Sequence, residues 1–143
     1  MTLTTEFKPV THPTILSYAA QLGMPSSAIR RDGSFTLLVD GVYRVNIYSM
    51  PDGRIALGSR LLSLQSLSST KKKDQLLEHL LSLSAGILRD HACTLCINEV
   101  GSILMLQQIL VASTDVPRLK TAMAEFVNCL EYWLKVCRKQ GVE

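Results

Sequence analysis

The stretch SFTLLVDGVYRVNIYS, Ser34 to Ser49, constrains the fold of this chain more than any other. Phe35, Leu37 and Val39 recur at every second position, and so do Tyr43, Val45 and Ile47. A period of two is that of a strand with one buried face. Asp40-Gly41 lies between the runs, and both residue types tolerate the positive φ that tight hairpin turns require. The expectation is an antiparallel hairpin closed by a two-residue turn. A lone hairpin is marginal in water, so the rest of the chain must cover its apolar face.

The flanking sequence supplies that cover. HPTILSYAAQLG reads as a short helix, with Pro13 in its first turn and Gly23 just past its end. Ile15, Leu16, Ala19 and Leu22 fall on one face. After a second turn, MPDGR, the segment IALGSRLLSL reads as a third strand that loses its pattern beyond Arg60. Ser63 to Thr70 is a Ser-rich connector. KKDQLLEHLLSLSAGILRD reads as a second helix whose leucines cover about 160° of arc, at 100° per residue. That is wider than one core contact needs, and the surplus predicts a second partner surface. ACTLCI and SILMLQQILVAS read as strands around the turn NEVGS. The last helix runs from Asp115 and carries one apolar stripe: Leu119, Ala122, Met123, Phe126, Val127, Leu130, Trp133, Leu134 and Cys137. The order α-β-β-β-α-β-β-α, with short turns, predicts an α+β fold: an antiparallel sheet of about five strands with three helices.

At 143 residues the chain reads as one domain, 1–143, with residues 1–11 and 140–143 expected to be flexible. Its 47% hydrophobic and 19% charged residues are a globular composition. The N-terminus lacks the pattern of a signal peptide, and no apolar run is long enough for a transmembrane helix. The expectation is a soluble cytoplasmic protein with four free thiols. The net charge of +3 is mildly basic. Lys71, Lys72 and Lys73 form the one dense basic run. Without interleaved aromatics it reads as a solvated loop rather than a nucleic-acid site.

Chemical motifs are sparse. Cys93 and Cys96 form a Cys-x-x-Cys pair with His91 nearby. A structural zinc site needs four ligands, and no second pair is present. Residues three apart in a strand point to opposite faces, so the two thiols diverge. Cys93, Leu95 and Ile97 share one face and read as core, as do Cys129 and Cys137. There is no nucleophile elbow and no phosphate-binding loop. Asp90-His91 reads as a solvated helix end. Enzymatic activity and a cofactor are not expected. Tyr18, Tyr48 and Tyr132 lie off the main stripes or at their margins, and with the wide arc of the second helix they favour a chain that binds other chains.

The element order, LSYAAQLGM, FTLLVDGVYRVNI, IALGSRLLSL, QLLEHLLSLSAGI, LCINEVGSILMLQQIL and the terminal helix of Asp115, Leu119, Phe126, Val127, Trp133 and Leu134 resemble class I type III secretion chaperones, the CesT or Tir-chaperone family. The likeness spans about Pro13 to Arg138. It implies a homodimeric, cofactor-free cytoplasmic chaperone of a Gram-negative bacterium. Such a protein binds the N-terminal segment of a secreted effector in extended form and keeps it soluble and competent for export. Carried onto this chain, it makes Leu76, Leu77, Leu80, Leu81 and Leu104 candidates for the dimer interface. Leu16, Tyr18, Phe35, Leu37, Ile47 and Leu57 become candidates for effector contact. Members are usually acidic, and this chain, with its pI of about 8.7, departs from that. The departure suits an acidic client or a partner chaperone, as in relatives that work as heterodimers serving needle-complex or gatekeeper proteins. The reading of a different class is a small metal or redox domain built on Cys93 and Cys96.

Overall fold

The hairpin forms, with one residue more in its loop than its turn signal predicts. Strand β1 (Phe35–Val39) pairs antiparallel with β2 (Tyr43–Ser49), and Val39 faces Tyr43 across a loop of Asp40, Gly41 and Val42. Asp40 (φ 54°) and Gly41 (φ 68°) take the positive φ of a primed turn, and the Val42 N–H donates to the Val39 carbonyl. Cross-strand partners point to the same face. A two-residue loop would have put Phe35, Leu37 and Val39 on one face and Tyr43, Val45 and Ile47 on the other. Burial of both sets on one face therefore fixes the register, and Val42 is the extra residue, 65% exposed.

The computed structural model describes residues 12–31, 33–64, 70–87, 93–97 and 103–139. The expectations for residues 1–11 and 140–143, for Asp90-His91 and for the turn NEVGS fall outside them. The remaining elements are α1 (Pro13–Gln21), a short 3₁₀ turn (Ser26–Ala28), β3 (Ile55–Ser63), α2 (Thr70–Ile87), β4 (Thr94–Ile97), β5 (Ile103–Leu110) and α3 (Val116–Lys139). The five strands make one antiparallel sheet in the order β1-β2-β3-β5-β4. The α+β class and the element order are as the sequence predicts.

Three local departures have physical causes. Strand β3 continues past Arg60 to Ser63, because a bulge between Arg60 and Leu62 lets it keep pairing with β5 after its alternation breaks. The buried residues of α1 are Ile15, Tyr18 and Ala19, whereas Leu16 and Leu22 are exposed. The packed stripe is thus rotated toward Tyr18, whose ring lies 6.5 Å from that of Phe35. Tyr48 is not a loose surface ring either: its hydroxyl accepts from Gln107 Nε2 at 2.6 Å, over Gly58 of β3.

Helices α1 and α3 cover one sheet face. Phe35, Val45, Ile47 and Leu57 are fully buried there with Leu119, Phe126, Leu130 and Trp133 of α3. Asp115 caps α3 by accepting from the Arg118 N–H at 2.9 Å. His12 does the same for α1, with Nδ1 accepting from the Thr14 N–H at 3.0 Å. Its Nε2 lies 2.6 Å from the Ala112 carbonyl, and its own N–H donates to Ser49 Oγ. One side chain thus caps a helix and ties it to the β5–α3 connection. His12→Ala should lower stability by about 0.5–2 kcal/mol, the usual loss for a cap. Urea unfolding measures it, and an unchanged midpoint would show that the cap carries no weight.

Candidate functional site

Both ends of the sheet are edges, and each edge has a groove beside it. At the first, β1 has a neighbour on one side only among the described residues. A groove of about 440 Å³ runs between it and α3, lined by Tyr18, Leu37, Leu38, Met123 and Val127 with Lys120 at its rim. The β1 side is apolar because FTLLV carries leucine at both parities: Leu37 turns toward the helices and Leu38 outward, 54% exposed. An exposed strand edge beside an apolar groove is the geometry for strand addition. Main-chain groups pair along the edge, and alternate side chains enter the groove.

At the other edge, β4 pairs with β5 through Thr94–Gln107, Leu95–Leu106, Cys96–Met105 and Ile97–Leu104. Leu77 and Leu80 of α2 share a groove of about 310 Å³ with Leu95, Cys96, Ile97 and Leu104. Ile97 is 45% exposed, although it shares a face with buried Cys93 and half-buried Leu95 and lies opposite buried Leu104. The lining is almost wholly apolar.

The candidates for effector contact divide by burial. Leu16 is exposed and Leu37 half-buried, so both reach the surface of the protomer. Tyr18, at 5% exposure, forms part of the wall beside β1, and burial raises its phenol pKa. Phe35, Ile47 and Leu57 are fully buried beneath the helices. Among the dimer candidates, Leu76, Leu80 and Leu104 are buried in the protomer, Leu77 is half-buried, and the Leu81 side chain lies outside the description. The sequence reading did not name Leu38, Leu95 or Ile97 as contact residues. Leu38 sits on the parity opposite the core set, and an apolar residue there was the available signal.

The four cysteines are free thiols. Cys93 and Cys96 separate as strand parity predicts: Cys96 faces Met105, whereas Cys93 is buried, with its thiol 3.4 Å from Gln108 Oε1. Burial and the neighbouring Cys129 push the Cys93 thiol far up, and burial pushes Cys137 up to about 11. A raised thiol pKa means that the unfolded chain ionises first. Stability contributed by these neutral thiols is therefore intact below the ordinary thiol range and falls as pH rises through it toward 11. The urea midpoint should drop between pH 8 and pH 10, and the drop should shrink in Cys137→Ala. Equal drops in both proteins would remove Cys137 as the cause.

Against known proteins, the model of the Tir chaperone protein (CesT) family matches residues 15–134. The chain belongs to this family. Among curated protein sequences none matches it. Solved structures similar to this CesT-family chain include one in the HopA1–SchA chaperone–effector complex (TM-score 0.64, 16% identity, covering 85% of this chain and 91% of that one). Another is in the ExsC–ExsE complex (TM-score 0.63, 18% identity, 94% and 96%). A third is in the heterodimeric ExoU–SpcU complex of the Pseudomonas aeruginosa type III secretion system (TM-score 0.54, 18% identity, 83% and 93%). At these identities the likeness is one of fold. Among the described residues no helix is long and apolar enough to cross a membrane.

Proposed function

We propose that this CesT-family protein is a type III secretion chaperone. It binds the N-terminal segment of a secreted effector in extended form and keeps it soluble and ready for export. The observation that carries this reading is the family match over residues 15–134. The β1 edge, unpaired among the described residues, and the largely apolar groove beside it supply a physical means. A disordered client gives up ordering entropy on binding but covers a large surface with main-chain hydrogen bonds and side-chain contacts. Leu16, Leu37 and Tyr18 are the proposed contacts, and Phe35, Ile47 and Leu57 hold the floor beneath them rigid. The protein works in the bacterial cytoplasm as a dimer joined through the α2–β4–β5 groove, without catalysis.

Chaperones of this kind are commonly encoded beside their client, which defines the experiment. The protein is co-expressed with the N-terminal part of the neighbouring gene's product, roughly a hundred residues, enough to wrap a large surface. Co-elution on gel filtration, with loss of the client's aggregation, is the expected result. A chain that elutes free of that segment while the segment precipitates would overturn the reading.

A further inference from the structure

We propose that a fork between β2 and β3 is a binding slot for an extended polypeptide segment that alternates acidic and aliphatic residues. The proposal rests on the chaperone reading and names the chemistry of the client segment.

The β2–β3 ladder runs from Ser49–Ile55 to Asn46–Gly58 and ends there. Beyond that point Tyr43–Val45 stays paired with β1 and Ser59–Ser63 with β5, so the two strands part within one sheet. The cause lies in the sequence. Continuing the register by two residues would set Arg44 directly opposite Arg60, and like charges opposite one another destabilise a strand pair. At the fork the Ser59 hydroxyl donates to the Arg44 carbonyl at 2.7 Å, in place of a ladder bond. The bulge between Arg60 and Leu62 then carries β3 further away.

The result is a cleft of about 490 Å³, lined by Tyr43, Arg44, Arg60, Leu62, Leu130 and Leu134. Its two sides differ in chemistry. Leu134 of α3, half-buried, forms an apolar floor on the helix side, with the fully buried Leu130 behind it. Arg44 and Arg60 are exposed on the other side, and neither has an ion-pair partner among the described residues. The nearest acid on the floor helix, Glu131, is held by Lys135 at 3.4 Å. Arg30 adds charge to the same sheet face, where it donates to the Thr36 hydroxyl beside β2.

A strand entering this cleft would present successive side chains to opposite faces. Carboxylates at one parity would meet Arg44 and Arg60 in charge-assisted hydrogen bonds and cancel their repulsion. Aliphatic side chains at the other parity would cover the accessible part of Leu134. Nucleic acid fits less well: it has no use for an apolar floor, and the slot lacks a series of stacking aromatics.

The test uses the full chain and fluorescein-labelled peptides of about eight residues, the length of a long strand. Alternating Val/Glu, Val/Gln and Val/Lys peptides are compared by anisotropy at physiological salt. Val/Glu should bind roughly tenfold tighter than Val/Gln, and Arg44→Glu/Arg60→Glu should reverse the preference toward Val/Lys. Both arginines are exposed, and a thermal melt verifies that the double variant is folded. Amide hydrogen exchange should show Val/Glu protecting 43–45 and 59–62. Equal affinity for all three peptides, or protection confined to Phe35–Val39, would overturn the fork and leave the chaperone reading standing. A single-stranded oligonucleotide that binds more tightly than Val/Glu, with binding lost in the double variant, would also overturn it and assign the arginines to nucleic acid. Failure of the neighbouring gene's product to co-elute, with Val/Glu binding intact, would remove the chaperone reading alone.

Discussion

Leu77→Glu combined with Ile97→Glu should convert the proposed dimer to a folded monomer. Light scattering after gel filtration would give the mass of one chain where the parent gives two. The expected effect is large because two carboxylates would be buried, unpaired, in a groove whose other lining residues are Leu80, Leu95, Cys96 and Leu104. Each unpaired buried charge costs several kcal/mol, and every 1.4 kcal/mol is tenfold in the dissociation constant. The monomer stays folded because Leu77 is half-buried and Ile97 is 45% exposed within the protomer. Leu80→Glu is the contrasting case: at 1% exposure Leu80 belongs to the core, and this variant should unfold rather than dissociate. A double variant that keeps the mass of two chains would place the dimer interface elsewhere.

Trp133→Ala should be the most damaging single truncation in α3, at about 3–5 kcal/mol. Trp133 is 1% exposed and heads the largest fully buried side chains. It packs edge-on to Tyr132 at 5.4 Å and 82°. Removing the indole opens a cavity between α3 and the sheet that the rigid strands cannot close. For a domain whose whole stability is about 5–15 kcal/mol, such a loss takes a large share. The partner ring is the control: Tyr132 is 44% exposed, and Tyr132→Ala should cost far less. Urea unfolding of the two variants measures the difference. Comparable midpoints would mean that α3 is not docked through Trp133.

The stripe on α3 could be read from sequence alone because a period of 3.6 sustained over 24 residues leaves little freedom: of the nine residues named, eight are buried and Leu134 is half-buried. The same reading was less successful on α1, where a helix of nine residues offers few positions and a tyrosine can serve core or surface. There packing against Phe35 chose Tyr18 and turned Leu16 outward. The loop of the first hairpin shows the same competition at closer range. Asp40-Gly41 signalled a two-residue turn, and burial of both apolar sets on one face added Val42.

Local periodicity and turn chemistry determined the element order, the buried set of α3 and the separation of Cys93 from Cys96, since each depends on residues near one another in the chain. Only the tertiary structure decided the rest. Strand order made β1 and β4 the edges, and the groove beside β1 arises from α3, which is distant in sequence. The fork depends on Arg44 and Arg60, sixteen positions apart, being carried toward a pairing that their charges forbid. No window along the sequence contains that conflict; it exists only once the strands lie side by side.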